Sequence, residues 1–329
     1  MKRTQHVKKV IVQIVTHNNE RTIRACIESV KAQTLSSVDV VVIDNASSDA
    51  TRMIVKTLGV SCIALKNNRG YGAGHNVGLA QGNSTYVLTL NPDVIISPDF
   101  LQRLVSAMED AGKQVGSAQP LLYRVEKMNE QSFIVDSGGL YFNPARRQKL
   151  RFMGRNIKLH PLVQQHIFGP DGAAAFYRRS MLRDIDLGNG IFDEDYFMHK
   201  EDVDICWRAQ LRGWKSLFVP KAVGYHIRTF RPGRRENIHN NLRVFAVRNR
   251  YVLMLKNELP SLFMRDLVWI MAYEVLIFAY ILLKEQASLS AYGQVVALLP
   301  SLLRKRAVIQ RNRKVSARDM AIWFRWKSL

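Results

Sequence analysis

The densest acidic side chains in the sequence lie in two runs, Asp193-Glu-Asp195 and Glu201-Asp-Val-Asp204. A carboxylate held near a hydroxyl group can act as a general base. Because residues three apart on a helix share a face, we expect Glu201 and Asp204 to lie together while Asp202 points elsewhere. One face of such a helix could stabilise the fold while the other serves a site. The competing interpretation is structural, since acids in the first turn of a helix oppose its dipole.

Further polar residues follow short apolar runs nearer the N-terminus. Asp44 closes one run and could accept a hydrogen bond from the imide N–H of a pyrimidine, although Asp-Asn-Ala-Ser-Ser-Asp is also ordinary turn chemistry. Residues 67–76 combine glycines, the cation Arg69 and a following helix N-terminus, and each of these suits a pyrophosphate. A flexible loop uses such glycines as well. The residue types are therefore compatible with a nucleotide ligand without selecting one.

These polar runs need secondary-structure elements that bring them together. Apolar β-branched runs at Val10–Val15, Val38–Ile43, Ser61–Leu65 and Tyr86–Leu90 alternate with segments of helical spacing. Strands this apolar are covered on both faces, so the pattern predicts an α/β fold with a mostly parallel, doubly wound sheet and helices on both faces. Ligands of such sheets bind beyond the carboxyl ends of the strands, where the polar loops would meet.

Local patterns predict several elements after the fourth strand. A helix should begin there, with Ser97 as its N-cap, Pro98 in the first helical position and Asp99 opposing the dipole. Between residues 118 and 179 the pattern weakens into short strands and turns, which we interpret as an acceptor-facing subregion. Two later elements are also predicted: a helix around Asp202–Leu211 and a short strand over Ser216–Val219.

The composition limits the class of protein. The 329 residues are 47% hydrophobic, enough to bury a full core, which excludes a disordered chain. Three cysteines, Cys26, Cys62 and Cys206, show no spacing typical of a zinc site or a disulfide framework, which favours a reducing compartment. The apolar run near the N-terminus is too short for the core of a signal peptide, so we expect that the chain is not exported.

The charge is strongly positive and unevenly distributed. Lys and Arg number 48 against 27 Asp and Glu, a formal net charge of +21, which predicts attraction to phosphate esters, nucleic acid or an acidic membrane. From Arg228 onward there are 19 basic and 6 acidic residues. The same part holds two apolar stretches, Leu267–Leu283 and Val295–Leu303, beside basic clusters such as Arg304-Lys-Arg306.

The longer of these apolar stretches bears on membrane binding. Leu267–Leu283 has 17 residues and contains Glu274, which is short of the roughly 20 apolar residues of a spanning helix. We therefore expect a helix that lies in the plane of an anionic leaflet, with its basic neighbours at the headgroups. The alternative is a C-terminal helical subdomain that packs on the core or on a second subunit of a homo-oligomer. The change in composition predicts two domains, residues 1–228 and 229–329.

Six motifs in order resemble a known family. They read VTHNN, DNASSDAT, NNRGYGAGHNVGL, LTLNPDV, GIFDEDYFMHKEDVDICWRAQLRGW and VPKAVGYH, and they fall between Val10 and His226. Their order and spacing resemble the family 2 glycosyltransferases of the GT-A fold, and most of all the bacterial rhamnosyltransferase-like branch. The resemblance implies a GT-A sheet that binds a nucleotide sugar, and the composition predicts the basic, partly apolar C-terminal helical region that follows it.

The resemblance implies a role for each polar loop near the N-terminus. In the family the residue at the position of Asp44 contacts the base, and the loop from Thr16 to Asn18 lines the same pocket. Arg69 and Asn76 would face the diphosphate of a nucleotide sugar built on dTDP or UDP. A base pocket and a diphosphate loop together would form the donor site.

The acid runs gain a role from the same resemblance. In the family's Glu-Asp pair the Asp is the general base, which assigns Asp202 to the acceptor hydroxyl, with Glu201 as a second candidate or a contact to the sugar. One base without a covalent nucleophile implies inversion. Asp171 and Gly172 lie in the stretch that shapes the sugar and acceptor pocket, where Asp171 is a candidate hydroxyl ligand.

The resemblance also implies a divalent metal, Mn²⁺ or Mg²⁺. Asn91-Pro-Asp93 occupies the position of the family's Asp-x-Asp motif, where a divalent ion neutralises the charge on the leaving diphosphate. Only Asp93 is a carboxylate, because Asn91 replaces the first acid. His226 matches a histidine that completes the metal site in related enzymes, although a lone histidine is more often structural. An imidazole among oxygen ligands favours Mn²⁺ over Mg²⁺.

Taken with the family, these residues predict an enzyme that transfers rhamnose from dTDP-rhamnose to a glycan or polyprenyl-linked glycan in cell envelope polysaccharide synthesis. Such enzymes work at the inner face of the bacterial membrane, which implies a cytoplasmic, peripherally bound protein that does not bind nucleic acid. A transferase of galactofuranose, N-acetylglucosamine or glucose from a UDP donor is one alternative, and a membrane-bound scaffold with a decayed site is another. A nucleic-acid-binding protein is the third, but no aromatics are interleaved with the basic runs.

Overall fold

A computed structural model describes residues 9–126, 132–157, 162–188, 190–227 and 240–326. At its centre is a ten-stranded mixed sheet. Its first strands and helices alternate along the chain as β1 Val10–Thr16, α1 Ile23–Lys31, β2 Val38–Asp44, α2 Thr51–Thr57, β3 Ser61–Ala64, α3 Tyr71–Leu79 and β4 Tyr86–Leu90. β1 pairs in parallel with β2 and β4, and β2 pairs in parallel with β3. The predicted α/β alternation and parallel sheet are confirmed.

The register of β1 against β2 brings two polar strand ends side by side. Thr16 is the partner of Asp44, and both residues are buried at the carboxyl ends of their strands. The β-branched residues Val10, Val12 and Ile14 are fully buried, which explains why this strand is apolar almost throughout. Because the strands are parallel, the loops that follow them leave the sheet at the same edge.

Beyond β4 the sheet continues with strands that the sequence pattern predicts only in part. β11 (Ala174–Arg178) runs antiparallel between β4 and β6 (Val115–Val125), and β12 (Lys215–Ile227) lies parallel to β6. The sequence predicts β12 only over Ser216–Val219, whereas the strand has 13 residues and its pairing shifts register around Pro220. Proline has no backbone N–H for the ladder, so the bulge there hides the continuation of the strand.

The remaining strands are short, as expected for the weaker pattern in the middle of the chain. They are β5 Val94–Ile96, β7 Val135–Ser137, β8 Leu140–Phe142, β9 Gln148–Leu150 and β10 Gln165–Ile167. The main sheet has the strand order β10-β12-β6-β11-β4-β1-β2-β3, with β5 paired to β12 and β7 paired to β6. β8 and β9 form a separate hairpin.

Helix α4 spans Phe100–Asp110 and begins two residues later than predicted. The prediction that Ser97 caps this helix and that Pro98 opens it is wrong. The carbonyl of Ser97 accepts a 2.7 Å hydrogen bond from Nε2 of Gln33, and the Ser97 hydroxyl donates to Asp99. These contacts use Ser97 to close the preceding turn, so Asp99 takes the N-cap position, without a side-chain capping bond.

The other helices are α5 Arg179–Asp184, α6 Glu201–Leu211, α7 Asn240–Asn257, α8 Pro260–Arg265, α9 Leu267–Lys284, α10 Ser290–Arg311 and α11 Ala317–Ala321. One hydrophobic cluster joins both parts of the chain, with members that include Phe142, Trp207, Leu253, Leu302 and Phe324. The predicted boundary at residue 228 lies outside the described residues, so the division into two domains stays a prediction.

Buried ion pairs also connect the C-terminal helices to the sheet region. Arg146, in the turn between β8 and β9, has a fully buried guanidinium that contacts Glu258 and lies 2.7 Å from Asp266. Arg250 of α7 donates a 2.7 Å hydrogen bond to the carbonyl of Arg146. Buried cations are costly unless they are paired, so part of the basic charge of the C-terminal region serves internal packing. This agrees with the alternative of a helical subdomain packed on the core.

Candidate functional site

The predicted base pocket lies at the ends of β1 and β2. Oδ2 of the fully buried Asp44 accepts hydrogen bonds from Nε and Nη2 of Arg52 at 3.0 and 2.7 Å. The backbone N–H of Ser47 approaches both carboxylate oxygens at 3.3 and 3.4 Å. Thr16 donates its hydroxyl to Asn19. The Asp44 carboxylate, which we predicted to bind a pyrimidine, is thus already paired with Arg52. A bound base would have to donate a hydrogen bond to the same carboxylate.

Amide side chains hold the loops after the first three strands together. Asn18, whose φ is 57°, accepts a 2.8 Å hydrogen bond at Oδ1 from the N–H of Ser48 and so joins the loops after β1 and β2. Asn45 joins the loops after β2 and β3, because its Oδ1 accepts from the N–H of Arg69 and its Nδ2 donates to the carbonyl of Gly70. The loops predicted to meet at one edge are therefore in contact.

Arg69 precedes α3 and Asn76 lies within it, and both contact Glu194. Nη2 of Arg69 donates to Glu194 at 3.0 Å, and the Arg69 side chain is 50% exposed. The amide of Asn76 donates to the carbonyl of Phe192 and accepts from its N–H, at 2.8 and 2.9 Å. Arg69 can therefore bind an anion if its guanidinium breaks its contact with the exposed Glu194 carboxylate. Asn76 instead fixes the backbone around residue 192.

His226, near the end of β12, lies between two carboxylates. Its Nδ1 is 2.8 Å from Oδ2 of Asp136, and its Nε2 is 3.3 Å from Oδ1 of Asp93. The antiparallel pairing of β12 with β5 places His226 opposite Val94, next to Asp93. Burial acts to lower the pKa of His226, but the hydrogen bonds and charges of the two carboxylates outweigh it and raise the pKa to about 9.

The donor atoms of Asp93 and His226 suit a divalent ion. Oδ1 of Asp93 lies 3.3 Å from Nε2 of His226, so once the imidazole has released its proton one oxygen and one nitrogen could bind the same ion. Asp136 holds the other ring nitrogen, which is how a metal-binding imidazole is usually oriented. Within the described ranges no three His, Cys, Asp or Glu residues form a complete site. Phosphate oxygens or water would therefore complete the coordination.

Asp202, the second residue of α6, packs against the turn that precedes β11. Its Oδ2 accepts a 2.8 Å hydrogen bond from the N–H of Gly172, and its Oδ1 accepts one from the N–H of Val203. Oδ2 of the neighbouring Asp171 is buried without a hydrogen-bond partner. Burial, and then the charge of Asp171, raise the pKa of Asp202 to about 6. A carboxyl group with that pKa is largely ionised at neutral pH and still basic enough to accept a proton.

Glu201 lies beside Asp202 and is 7% exposed, with no hydrogen-bond partner at Oε2. Burial, and then the charge of Asp202, raise the pKa of Glu201 to about 8. Two N–H groups stabilise the ionised form of Asp202 and none is aimed at Oε2 of Glu201, so the proton that the pair holds at neutral pH resides on Glu201. The pair provides one ionised carboxylate and one neutral acid.

The other acids of the two runs contact cations of the helices. Asp193 accepts hydrogen bonds from Lys256 and, at 2.5 Å, from Lys305. Asp204 lies 2.9 Å from Nζ of Lys256 and 2.8 Å from Nε of Arg208. These acids fit the structural interpretation, whereas Asp202 contacts the turn before β11 and neither Asp202 nor Glu201 forms an ion pair with a described residue. The structure therefore separates the acid runs into an internal ion network and a candidate catalytic pair.

A family model described as "Glycosyl transferase family 2" matches residues 11–186, more than half of the chain. The chain belongs to glycosyl transferase family 2. Membership confirms the resemblance carried by the six motifs and makes the protein a glycosyltransferase, in a family where inversion is standard. A nucleic-acid-binding protein no longer accounts for those motifs.

Relatives of this glycosyltransferase include two bacterial enzymes. "Rhamnosyltransferase WbbL" of Escherichia coli (strain K12) is 26% identical over 231 residues, which are 66% of this chain and 83% of the relative. An "N-acetylglucosaminyl-diphospho-decaprenol L-rhamnosyltransferase" of Mycobacterium tuberculosis (strain CDC 1551 / Oshkosh) is 27% identical over 245 residues, 68% of this chain and 77% of the relative. "Succinoglycan biosynthesis protein ExoO" of Rhizobium meliloti (strain 1021) is 35% identical, but the match covers 33% of this chain and only 32% of that relative.

Solved structures share the fold of this glycosyltransferase. The crystal structure of S. aureus TarS 1-349 is 20% identical, with a TM-score of 0.55 over 92% of this chain and 88% of that chain. The mannosyltransferase PcManGT from Pyrobaculum calidifontis, solved with GDP-Man and Mn²⁺, is 17% identical, with a TM-score of 0.52 over 97% and 84% of the two chains. The predicted GT-A fold is confirmed.

Several residues at the site of this glycosyltransferase were missed by sequence reasoning. They are the partners of predicted residues, namely Arg52, Asn45, Tyr71, Asp136 and Glu194. Asp136 is the clearest case, because it lies 90 positions from His226 and no spacing rule connects the two. One signal was available, since an acid between the apolar residues Ile134-Val135 and a Ser-Gly-Gly turn is an unusual place for a charge.

Proposed function

We propose that the protein is an inverting glycosyltransferase in which Asp202 deprotonates the acceptor hydroxyl. The observation that carries this proposal is the pair of the buried Glu201 and the partly buried Asp202, in which Asp202 is held by two N–H groups and neither acid forms an ion pair with a described residue. The acceptor oxygen attacks the anomeric carbon while its proton passes to Oδ1 or Oδ2 of Asp202. The bond from that carbon to the diphosphate oxygen breaks, and the diphosphate leaves with the electron pair.

Glu201 has a complementary role in this proposal. At neutral pH it holds a proton, so it can donate a hydrogen bond to a hydroxyl of the sugar or the acceptor. Its charge is then absent, which leaves Asp202 as the ionised group of the pair. Asp171 and Gly172, in the turn that contacts Asp202, would line the sugar and acceptor pocket.

The nucleotide of the donor would bind along the loops after β1, β2 and β3. We assign the base to Asp44 with Thr16 and Asn18, and the diphosphate to Arg69 with help from Asn76. Support comes from the direct contacts between these loops and from the exposed guanidinium of Arg69. A buried carboxylate beside a base would select a ring with an N–H to donate, as in uracil and thymine.

Asp93 and His226 are the residues that would hold a divalent ion, and Asn91 would contact the nucleotide sugar next to it. When bound, the ion would neutralise charge on the leaving diphosphate. The imidazole ligand favours Mn²⁺ over Mg²⁺. The 3.3 Å approach of Oδ1 of Asp93 to Nε2 of His226 supports this assignment, as does the Mn²⁺ present in the PcManGT structure.

Rhamnose from dTDP-rhamnose is the donor that we favour, and a polyprenyl-linked glycan is the acceptor. Both choices rest on the names of two relatives, a rhamnosyltransferase and an L-rhamnosyltransferase that acts on a diphospho-decaprenol. A UDP-sugar transferase of the same fold is the second candidate, because a structure of S. aureus TarS 1-349 holds UDP-GlcNAc. The relatives' names also favour a role in cell envelope polysaccharide synthesis.

An anionic membrane surface is the partner that we propose for α9. Among the described helices, α9 alone is long and apolar enough to cross a membrane by length and composition, and its apolar window is only 11% buried. Glu274 does not interrupt the exposed face, because it is turned toward α7, where it pairs with Arg250 and Tyr251. Large apolar side chains remain exposed on the outer face: Val268, Trp269, Val275, Leu276, Phe278 and Leu283.

Exposed basic residues of α10 and the following turn would add electrostatic attraction to an anionic leaflet. They include Arg304, Arg311, Arg313 and Lys314, whereas Lys256 and Lys305 are used in internal ion pairs. An apolar face with flanking cations suits a helix at the headgroup level of an anionic leaflet. We therefore propose peripheral attachment of a cytoplasmic enzyme to the inner face of the membrane through residues 229–329. Self-association through the same face is the competing outcome.

Transfer assays with the purified chain would test the proposed reaction. dTDP-rhamnose, UDP-GlcNAc, UDP-glucose and UDP-galactofuranose would each be offered with an N-acetylglucosaminyl-diphospho-polyprenol analogue and Mn²⁺, Mg²⁺ or EDTA. We expect metal-dependent transfer from dTDP-rhamnose, with inversion at the anomeric carbon in the product. Transfer from a UDP-sugar alone would support the second candidate.

Asp202→Asn tests the assigned base. We expect a loss of about 10²- to 10⁴-fold in kcat, with the thermal stabilisation by nucleotide and metal unchanged. Asp110→Asn, at an exposed acid of α4, is the matched control and should behave as the wild type. Wild-type activity in Asp202→Asn would overturn the assignment. If the wild type has no activity or nucleotide response but shifts with a duplex oligonucleotide, a binding protein or a decayed scaffold is the better explanation.

A further inference from the structure

The loop that leads into the candidate catalytic pair has an unusual backbone. Phe197, His199 and Lys200 all have positive φ, at 60°, 67° and 75°, and none of them is glycine. Side chains other than glycine rarely adopt this conformation, so surrounding contacts must hold it. Lys200 is the residue immediately before α6, whose first two residues are Glu201 and Asp202. Any relaxation of the loop would therefore move the pair.

A single buried amide holds much of this loop. Asn249 of α7 has no exposed surface, and its Nδ2 donates to the carbonyls of Tyr196, Met198 and His199 at 3.0, 2.7 and 2.8 Å. Its Oδ1 accepts a 2.9 Å hydrogen bond from Nε of the neighbouring Arg248, which fixes the orientation of the amide.

Arg248 reinforces the same loop from the same helix. Its Nη2 donates to the carbonyls of Asp195 and Tyr196 at 2.6 and 2.9 Å. Two adjacent residues of α7 thus donate to four backbone carbonyls, those of residues 195, 196, 198 and 199. Hydrogen bonds from a charged donor are stronger than those between neutral groups, so the Arg248 guanidinium stabilises the conformation of this loop.

The remaining carbonyl of the loop links it to the donor and acceptor sides of the site. Phe197 O accepts a 2.8 Å hydrogen bond from the N–H of Tyr71, the first residue of α3. The hydroxyl of Tyr71 donates to the carbonyl of Gly172 at 2.7 Å, and the N–H of Gly172 donates to Asp202. A closed series of hydrogen bonds therefore runs from the loop through α3 and Gly172 back to Asp202.

We propose that Asn249 is a positioning residue for the transfer reaction, which acts through the loop of residues 196–200 to hold Asp202 against Gly172. The inference rests on the proposed role of Asp202 as the base. It gives the C-terminal region a second role, because α7 belongs to the segment proposed above only as a membrane attachment. Asn249 touches the loop and neither reacting group, so its effect on the reaction is indirect.

Asn249→Leu removes the donor at nearly constant volume, and Asn257→Leu is the matched control. Asn257 is also a fully buried amide of α7, but it donates to Asp204 and to the carbonyl of Leu253 and makes no direct hydrogen bond to the loop carbonyls that Asn249 binds. We expect Asn249→Leu to lower kcat at least about tenfold with the KM for the donor within about twofold. The acid limb of the pH profile should move to higher pH, because Asp202 loses the Gly172 hydrogen bond that lowers its pKa. Asn257→Leu should lower thermal stability without moving that limb.

Asn249→Gln keeps the proposal testable if the leucine variant does not fold. It retains an amide donor on a longer side chain, and we expect a kcat between those of the wild type and Asn249→Leu. Equal losses in Asn249→Leu and Asn257→Leu, in proportion to lost stability and with unchanged pH profiles, would overturn the positioning role. Wild-type activity in Asp202→Asn would instead refute the proposed base, whatever Asn249→Leu does. An inactive Asp202→Asn beside a wild-type profile in Asn249→Leu or Asn249→Gln would refute the positioning role alone.

Discussion

The N–H of Gly172 donates a 2.8 Å hydrogen bond to Oδ2 of Asp202, and a Cβ added at Gly172 would lie 3.3 Å from that same oxygen. The turn before β11 and the start of α6 are therefore closely packed at the contact between Gly172 and Asp202. The hydrogen bond favours the ionised form of Asp202, and the absence of a side chain allows the carboxylate to stay within reach. Residue 172 thus influences both the position and the charge of the candidate base.

Gly172→Ala should lower activity more than stability. The added methyl group would displace the Asp202 carboxylate by a few tenths of an ångström, and misplacement of a reacting group is costly, so we expect kcat to fall about tenfold. Nucleotide binding should be unchanged. Gly82→Ala is the control, because its Cβ would lie 3.9 Å from Ile11 in ordinary contact. Steady-state kinetics and thermal melts of both variants would check this, and a fully active Gly172→Ala would contradict it.

Activity should follow a bell-shaped pH profile. The fraction of ionised Asp202 rises through about pH 6, and the proton on Glu201 is lost through about pH 8, so kcat/KM should be greatest between these values. Glu201→Gln should keep the acid limb and lose the alkaline limb. Initial rates from pH 5 to pH 9.5 would test both statements. A profile that stays flat down to pH 5 would exclude Asp202 as the titrating base.

Glu201→Gln should also stabilise the fold at alkaline pH. The pKa of Glu201 is raised in the folded state, so the folded protein holds this proton more tightly than the unfolded chain and loses stability as pH rises from about 4.5 to about 8. A neutral glutamine avoids that loss. We expect a gain of about 1 to 3 kcal/mol at pH 8.5 and little gain at pH 4.5, measured by denaturant unfolding. An equal gain at both pH values would mean that the charge of Glu201 is not its source.

Asp136→Asn should weaken metal binding without touching the metal ligands. Asp136 holds Nδ1 of His226, and loss of such a partner typically costs about 10- to 100-fold in metal affinity. The readout is the Mn²⁺ concentration needed for thermal stabilisation in the presence of a fixed nucleotide diphosphate. His226→Ala should lose most of the response, as should EDTA treatment, and Asp110→Asn is the control. Unchanged Mn²⁺ dependence in both His226→Ala and Asp136→Asn would place the metal elsewhere.

Charges introduced on the outer face of α9 should abolish membrane binding. Leu276 and Leu283 are 67% and 78% exposed, and replacing both with Glu would place two charges where we propose acyl chains. We expect at least about a tenfold loss of flotation with phosphatidylglycerol vesicles. Met53→Glu, on the distant α2, alters a residue that is 63% exposed and should leave flotation unchanged. If the wild type fails to float but changes from an oligomer to a monomer with these substitutions, the face binds a second copy instead.

Much of the fold could be predicted because the evidence for it is local in the chain. The apolar runs that form β1, β2, β3 and β4 are read directly from the sequence, and the parallel register follows from the helices between them. The motif resemblance identified the family correctly. The N-cap of α4 could not be predicted, because the side-chain oxygen of Gln33, far away in sequence, accepts the N–H of Leu101 that a local capping side chain would bind.

The candidate site divides in the same way between local and distant information. The alternating sheet and the polar strand ends could be predicted from residue type and short spacing, whereas the role of Asp202 was predicted only through the family resemblance. Only the tertiary structure decided which acids are free to act, because Asp193 and Asp204 are neutralised by Lys256, more than fifty positions away. Charge neutralisation and burial depend on distances in space. The spacing of residues along the sequence does not give the distance between two residues that are far apart in the chain.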